Sequence, residues 1–115
     1  MKHKLIIAGG RDFNDYKLLQ DTILPLLPSI GEIVSGTCSG ADKLGERFAD
    51  EHCIPIKQFP ANWNLYGKSA GPRRNAQMAA YADACVVFWD GKSRGTKSMI
   101  ELAIKYKLPL KVIKY

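Results

Sequence analysis

Apolar residues in this chain occur in short runs that alternate with segments of helical spacing. The short runs predict five strands, at residues 4–9, 32–36, 54–59, 84–89 and 109–114. Between them, apolar positions recur every three or four residues, which predicts four helices and the order β-α-β-α-β-α-β-α-β. Such alternation is typical of an α/β domain in which right-handed crossovers join parallel strands. We therefore predict a mainly parallel five-stranded sheet with helices on both faces.

The predicted helices are marked by four apolar stripes and by two prolines. The stripes comprise Tyr16, Leu19, Ile23, Leu26 and Leu27; Ala41, Leu44, Phe48 and Ala49; Met78, Ala79 and Ala82; and Met99, Leu102, Ala103 and Tyr106. Pro25 is expected to bend or shorten the first helix, whereas Pro72 suits the first turn of the third. Residues 60–71 show no period, which predicts a loop that covers the ligand as a lid. Trp63 in that loop is expected either to stack on a base or to pack into the core or a partner subunit.

The nearly uninterrupted apolar run at 84–89 predicts a central strand that is covered on both faces. In an open parallel sheet, ligands bind outside the carboxyl ends of the strands, where the winding direction reverses. That point is expected to bring loop 9–13 beside loop 90–96, with loop 35–42 flanking them. Three loops that are distant in sequence are therefore predicted to share one ligand site.

These loops are rich in glycine and in residues that bind anions. Glycine lets the backbone approach a ligand closely, and a helix that begins next presents free N–H groups to a phosphate. Arg73 and Arg74 are predicted in the first turn of the third helix, where positive charge opposes the helix dipole unless an anion or an acid lies opposite. The predicted ligand-binding residues are Gly9, Gly10, Arg11, Asp12, Phe13, Ser35, Gly36, Ser39, Gly40, Ala41, Asp42, Trp63, Arg73, Arg74, Asn75, Asp90, Gly91, Gly95 and Thr96.

Several of these residues also have an ordinary structural explanation. Arg11 is expected either to contact a phosphate or base, or to form a salt bridge with Asp12 or Asp42. Asp42 and Asp90 are expected either to bind ribose hydroxyls or Mg²⁺, or to cap the ends of loops. Thr96 is predicted to be the N-cap of the last helix, a role that is compatible with a phosphate facing its N–H groups.

Composition narrows the remaining classes of function. The 115 residues suffice for one domain, predicted over 1–115, and the net charge of +6 favours an anionic partner. Three cysteines without CxxC spacing disfavour disulfides and zinc, so they are interpreted as reduced thiols. No GxGxxG, Walker A or nucleophile-elbow motif is present, and we predict neither a metal site nor a cofactor. Without a signal peptide or a long apolar run, the chain is predicted to be cytoplasmic, with no membrane partner.

A series of short motifs lies between residues 9 and 96, within a resemblance to known proteins that covers about residues 4–112. They are Gly9-Gly10-Arg11-Asp12-Phe13, Ser35-Gly36 with Gly40-Ala41-Asp42, Pro60-Ala61-Asn62-Trp63, Tyr66-Gly67-Lys68 with Ala70-Gly71-Pro72, Arg74-Asn75 with Met78, and Phe88-Trp89-Asp90-Gly91 with Gly95-Thr96. In order and spacing they resemble the SLOG superfamily, in particular its small YspA-type branch, which is related to the LOG and YpsA proteins. The resemblance implies a Rossmann-like three-layer sandwich that binds a nucleotide or a nucleotide-derived ligand, such as a nucleoside phosphate or an ADP-ribose-like signal.

The LOG proteins offer a sharper comparison, because they release a base from a nucleoside monophosphate. They carry an arginine at the position of Arg74 and a Pro-Gly-Gly-x-Gly-Thr-x-x-Glu loop. Gly95-Thr96 matches that loop, but Met99 stands where the catalytic glutamate belongs and cannot stabilise oxocarbenium-like charge. Glu101 is about 200° further round the helix and should point elsewhere. No catalytic residue is assigned, and the carboxylates left as substitutes are Asp12, Asp42 and Asp90.

Three functions remain open, and a binding protein or sensor for the nucleotide-type ligand is the preferred one. The second is a phosphoribohydrolase that cleaves the N-glycosidic bond of nucleoside monophosphates. The third and less favoured is single-stranded nucleic-acid binding, because the DNA-processing protein A family shares this superfamily fold and the chain is basic. The resemblance also implies a homodimer or a higher homo-oligomer.

Overall fold

Five strands form one sheet in the computed structural model, which describes residues 2–115. The strands are β1 (His3–Gly9), β2 (Ile30–Ser35), β3 (Ile56–Gln58), β4 (Ala84–Trp89) and β5 (Leu110–Lys114). Their order across the sheet is β3-β2-β1-β4-β5, and every neighbouring pair is parallel. All five predicted strands are confirmed. The winding direction reverses at β1, which lies in the middle of the sheet, whereas β4 is an interior strand between β1 and β5.

Residues 2–115 contain five α-helices. They are α1 (Tyr16–Ile23), α2 (Ala41–Glu51), α3 (Trp63–Tyr66), α4 (Ala70–Tyr81) and α5 (Arg94–Lys105). The first helix ends earlier than its apolar stripe, and a 3₁₀ turn over Leu24–Ser29 continues it. Pro25 and Pro28 lie in that turn, and the N–H groups that they lack would be needed to extend the α-helix. No helix within residues 2–115 has both the length and the apolar character needed to cross a membrane.

The sheet has a separate apolar core on each face, as a three-layer sandwich requires. Successive side chains of a strand point to opposite faces, so Leu5 and Ile7 of β1 pack in one core and Ile6 and Ala8 in the other. The first core also contains side chains of α1 and α2, among them Leu19, Ile23 and Phe48. The second contains Met78 of α4 together with Met99 and Ala103 of α5. The predicted α/β Rossmann-like fold is confirmed.

The segment 60–71 is not the open loop that its lack of periodicity predicted. Asn62 accepts a hydrogen bond from the N–H of Leu65 at 3.1 Å and so caps α3. A 3₁₀ turn over Gly67–Ser69 follows, and α4 begins at Ala70. One helical turn held by its cap is too short to show an apolar stripe, so periodicity could not detect it.

Candidate functional site

Two adjoining cavities open at the carboxyl ends of β1, β2 and β4. The larger cavity has a volume of about 290 Å³ and the smaller cavity one of about 240 Å³. The larger cavity alone is lined by Ala8, Gly9, Asp42, Gly71, Pro72, Asn75, Met78, Ser93, Arg94, Gly95, Thr96, Ser98 and Met99. The smaller cavity alone is lined by Gly36, Thr37, Ser39, Pro60 and Ala61, and both are lined by Arg11, Cys38, Trp63 and Arg74. Their position matches the crevice expected where the winding of an open sheet reverses.

The loops after β1 and β2 are held together through one carbonyl group. The oxygen of Gly10 accepts hydrogen bonds from the N–H groups of Phe13 and Ala41, both at 3.2 Å. Gly40 lies directly against this loop with a φ of +78°, and a Cβ at Gly40 would be 2.2 Å from the oxygen of Gly10. Only glycine fits there, because both the backbone conformation and the space exclude a side chain. These contacts place Arg11 at the mouth of the cavities, beside the start of α2.

Arg74 is a nearly buried cation, with 7% of its surface exposed. Its guanidinium donates to the carbonyl of Gly36, to Oδ1 of Asn75 at 2.9 Å and to Sγ of Cys38 at 3.6 Å. Within residues 2–115, no carboxylate oxygen lies within 4.0 Å of it. The side chain is therefore fixed in place at the junction of the two cavities without a direct ion pair, although the Asp42 carboxylate is close enough for the two charges to act on one another.

Asp42 supplies the carboxylate of the site. It is 5% exposed, and Oδ2 accepts a hydrogen bond from the N–H of Cys38 at 3.1 Å. Burial raises the pKa of Asp42 from 3.8 to about 6, although that hydrogen bond and the charges of Arg74 and Arg11 act in the opposite direction. Of the residues lining the two cavities, Asp42 alone carries a carboxylate. In the part of the chain that the structure describes, no three His, Cys, Asp or Glu side chains are grouped as a metal ion would need.

The first turn of α5 forms one wall of the larger cavity. Ser93 is its N-cap and accepts hydrogen bonds from the N–H of Thr96 at 3.4 Å and from the Thr96 hydroxyl at 3.1 Å. The prediction that Thr96 is the N-cap is therefore wrong, because Thr96 lies three residues inside the helix with its side chain buried. Asn75 donates to the carbonyl of Gly95 at 3.3 Å and thereby ties this turn to α4. The Cα of Gly95 borders open space, with no other group within 4 Å of where a Cβ would lie.

Trp63 lies over the site and not in the core. Its indole is 49% exposed, lines both cavities and approaches Gly71 so closely that a Cβ there would be 3.3 Å from Cη2 of the ring. The alternative that Trp63 packs into the core is therefore wrong, whereas a lid over a ligand stays a prediction. Arg73, which adjoins Arg74 in sequence, lines neither cavity. Its guanidinium stacks on the ring of Tyr66 at 4.5 Å, and its Nε donates to Ser69 at 3.2 Å.

About half of the predicted ligand-binding residues line the two cavities. Those that do are Gly9, Arg11, Gly36, Ser39, Asp42, Trp63, Arg74, Asn75, Gly95 and Thr96. Those that line neither cavity are Gly10, Asp12, Phe13, Ser35, Gly40, Ala41, Arg73, Asp90 and Gly91. Arg11 has no carboxylate within 4.0 Å in residues 2–115, so the salt bridge considered for it is absent.

The predicted residues that lie outside the cavities have structural partners instead. Phe13 is buried and stacks on Phe88 with 4.6 Å between the ring centroids. Asp12 accepts a hydrogen bond from the hydroxyl of Tyr115 at 2.6 Å, and Ser35 donates to Glu46 at 2.6 Å. Asp90 accepts hydrogen bonds from the N–H groups of Lys92 and Ser93, both at 2.8 Å, and these bonds lower its pKa. Asp90 therefore shapes its own loop, as the capping alternative anticipated.

The apolar floor of the larger cavity was not among the predicted ligand-binding residues. Ala8, Met78 and Met99 line it, although their periodicity had indicated only core packing. Met99 is 1% exposed, whereas Glu101 is exposed on the outer side of α5, as its angular position predicted. The sequence could have indicated that the two methionines lie beside the site. Met78 follows Arg74 by one helical turn and Met99 follows Gly95 by one turn, so each lies on the same helix face as a predicted site residue.

Two comparisons relate this chain to known proteins. A family model described as "YspA, cpYpsA-related SLOG family" matches residues 3–66. The chain is also 30% identical over 116 residues to the gene 61 protein of Mycobacterium phage D29, with 93% of each chain covered. The matched range of the family model contains the loops after β1 and β2 and the whole of α3.

Proposed function

Because this chain belongs to the YspA, cpYpsA-related SLOG family, we propose that it is a binding protein or sensor for a nucleotide or nucleotide-derived ligand. The ligand would lie at the carboxyl edge of the sheet, in the larger and smaller cavities. One observation carries this proposal. Arg74 is nearly buried, is held by three hydrogen bonds at the junction of the cavities, and has no carboxylate within 4.0 Å in residues 2–115.

A buried charge is costly unless a group of opposite charge compensates it. Asp42 compensates the charge of Arg74 in part, without a contact within 4.0 Å. A phosphate beside Arg74 would provide a direct partner, and the guanidinium can offer N–H groups to it in a fixed geometry. Arg11 and Arg94 line the same space and are exposed, so they are free to approach a phosphate. The first-turn N–H groups of α5 add a partial positive charge at the opposite wall.

Calorimetric titration of nucleoside mono- and diphosphates into the protein, with wild type beside Arg74→Ala, tests this proposal. Loss of a hydrogen bond to a charged group is worth about 1.5–3 kcal/mol, so Arg74→Ala should weaken binding by roughly 10- to 150-fold. Arg73→Ala is the matched control, because the neighbouring arginine stacks on Tyr66 outside both cavities. Equal affinity of wild type and Arg74→Ala would refute the assignment.

Arg74→Ala is also expected to lower stability, since it removes the donor for the Gly36 carbonyl and for Asn75. Titrations should therefore be made at a temperature at which circular dichroism shows both variants folded. Binding of single-stranded DNA is measured in the same series. Affinity for DNA that falls steeply with salt while mononucleotides compete poorly would favour the nucleic-acid alternative instead.

A second candidate function is cleavage of the N-glycosidic bond of a nucleoside monophosphate. The observation that favours it is Asp42, a carboxyl group on the wall of the larger cavity with its pKa raised to about 6, a value suited to proton transfer near neutral pH. The buried Met99 argues against it, because an apolar thioether lies where the resembling enzymes place their carboxylate. Binding without cleavage is therefore the function proposed first.

A further inference from the structure

Arg11 is an exposed cation of the site, and its position depends on the loop after β1. It lines both cavities, and in residues 2–115 no carboxylate lies within 4.0 Å of its guanidinium. A long side chain of this kind loses conformational entropy when a ligand fixes it. The contribution of Arg11 to binding therefore depends on how firmly the backbone on either side of it is held.

Tyr115, which directly follows β5, contacts both sequence neighbours of Arg11. Its hydroxyl donates a hydrogen bond to Oδ1 of Asp12 at 2.6 Å. The same hydroxyl lies so close to Gly10 that a Cβ there would be 1.9 Å from the phenol oxygen, and a larger residue would push the ring away. One side chain from the edge of the sheet thus holds the backbone immediately before and after Arg11.

The ring of Tyr115 is itself held in place. It packs edge-on against Phe13 with 4.8 Å between the ring centroids, and Phe13 stacks on Phe88 of β4. The N–H of Tyr115 donates to the carbonyl of Trp89 at 3.2 Å. Partial burial and the bond to Asp12 raise the pKa of the Tyr115 hydroxyl, so it keeps its proton at neutral pH and remains a donor.

Gly40 holds the backbone of Arg11 from the start of α2. A Cβ at Gly40 would be 2.6 Å from both the carbonyl carbon and the carbonyl oxygen of Arg11. Because Gly40 is the N-cap of α2, this contact fixes the loop against the first turn of that helix. The loop after β1 is therefore held by α2 and by Tyr115, with Arg11 between the two residues that Tyr115 contacts.

We propose that Tyr115 is a positioning residue of the ligand site, which acts through the loop after β1 and holds Arg11 where it can bind the anionic part of the ligand. Tyr115 itself lines neither cavity. The inference rests on the proposed function and adds to it a residue that lies outside every sequence motif of the site.

Two variants remove the hydrogen bond between Tyr115 and Asp12. Tyr115→Phe removes the donor and keeps the ring on Phe13, whereas Asp12→Ala removes the acceptor, so misfolding of one variant leaves the other available. The probe for calorimetric titration is whichever of ADP, GDP, UDP and CDP the wild-type protein binds most tightly. The net loss of one hydrogen bond corresponds to about a 2- to 12-fold change in affinity, and each variant should weaken the probe by at least about threefold.

Tyr81→Phe is the matched control. It also removes a hydrogen bond from a tyrosine to a carboxylate, that of Glu32, but Tyr81 is the last residue of α4 and lines neither cavity. We expect it to change the affinity for the probe by less than about twofold. Wild-type affinity of both Tyr115→Phe and Asp12→Ala would overturn the inference.

The Arg11→Ala background separates positioning from a general effect on the fold. If Tyr115 acts through Arg11, Tyr115→Phe should weaken the probe less than about twofold once Arg11 is alanine. The same loss in both backgrounds would overturn the inference, because the hydroxyl would then act on the site by another route.

Hydrogen exchange gives a readout that needs no ligand. The N–H of Phe13 donates to the carbonyl of Gly10 at 3.2 Å and so reports on the closed loop around Arg11. Exchange of this amide should be about threefold or more faster in Tyr115→Phe than in wild type and unchanged in Tyr81→Phe. Unchanged exchange in Tyr115→Phe would overturn the inference.

The two proposals fail in distinguishable ways. If Arg11→Ala and Arg74→Ala weaken the probe while Tyr115→Phe and Asp12→Ala do not, the positioning role is wrong and the proposed function stands. If none of the four diphosphates binds to the folded wild-type protein, both proposals are wrong.

Discussion

Gly36 and Gly95 both line the site, and each can be replaced with alanine to add one methyl group. The pair distinguishes space that the folded protein already fills from space that a ligand would occupy. At Gly36, a Cβ would be 2.8 Å from Oδ2 of Asp42 and 2.9 Å from Nη1 of Arg74. At Gly95, nothing lies within 4 Å of the same position. Neither glycine has a positive φ, so backbone strain does not enter the comparison. The variants Gly36→Ala and Gly95→Ala therefore differ in what the new methyl group meets and in backbone context, since Gly95 lies in α5 and Gly36 in the loop after β2.

The expected free energies of unfolding change in opposite directions. Overpacking of a well-filled site costs about 1–3 kcal/mol, and at Gly36 the displaced groups are the buried Asp42 and Arg74. At Gly95, in the first turn of α5, replacing glycine with alanine reduces the entropy of the unfolded chain and stabilises the protein by about 0.4–1 kcal/mol. The two variants should therefore differ by roughly 1.5–4 kcal/mol.

Urea unfolding measures this difference as a shift of the midpoint at unchanged slope. Nucleotide titration of Gly95→Ala completes the test, because its methyl group enters the larger cavity and should weaken binding in a protein that is more stable than wild type. Stability of Gly36→Ala equal to that of wild type would refute the reasoning, since it would mean that Arg74 and Asp42 move aside at no cost.

Three further predictions concern pH, catalysis and assembly. Because the pKa of Asp42 rises from 3.8 to about 6 on folding, the folded state holds the proton more tightly, and unfolding free energy should fall by up to about 3 kcal/mol as pH rises from about 4 to about 6. Asp42→Asn should remove that fall, and parallel stability curves for the two proteins would contradict it. Wild-type protein incubated with nucleoside monophosphates should release no free base by chromatography, because Met99 offers no charge to an oxocarbenium-like transition state; release that Asp42→Asn abolishes would show a relocated carboxylate. Light scattering should report at least a dimer, with the exposed Trp63 and Leu65 near the contact; a monomer at high concentration would exclude this.

The interior strands β1, β2 and β4 were predictable because each contains a short apolar run that is buried on both faces. β4 reads Ala-Cys-Val-Val-Phe-Trp and appears at 84–89, where it was predicted. The least accurate strand is β3, predicted at 54–59 and observed over Ile56–Gln58, because most of its residues are partly exposed at the edge of the sheet. The convergence of three loops at one edge also followed from the sequence, since the alternation of strands and helices forces the strands to be parallel.

The role of each loop residue was less predictable. Phe13 follows two glycines in a loop that binds ligands in related folds, yet its ring packs on Phe88 of a strand 75 positions later. Asp90 accepts the N–H of Ser93 within the loop, and Ser93 is the N-cap of α5. Which residue takes which role depends on the path of the backbone after β4. A loop residue that contacts a ligand and one that contacts a neighbouring loop have the same kind of sequence around them. The sequence therefore could not separate the two roles.

By itself, the sequence determined the α/β class, the parallel strands and the edge of the sheet at which the three loops meet. Those features depend on periodicity and on residue type, which are local properties of the chain. Only the tertiary structure decided that Arg74 donates to the Gly36 carbonyl beside Cys38, that burial raises the pKa of Asp42, and that two cavities share Arg11 and Arg74 close to the Asp42 carboxylate. Each of these depends on groups from different loops that come within a few ångströms of one another, and such distances are set by the packing of the whole domain.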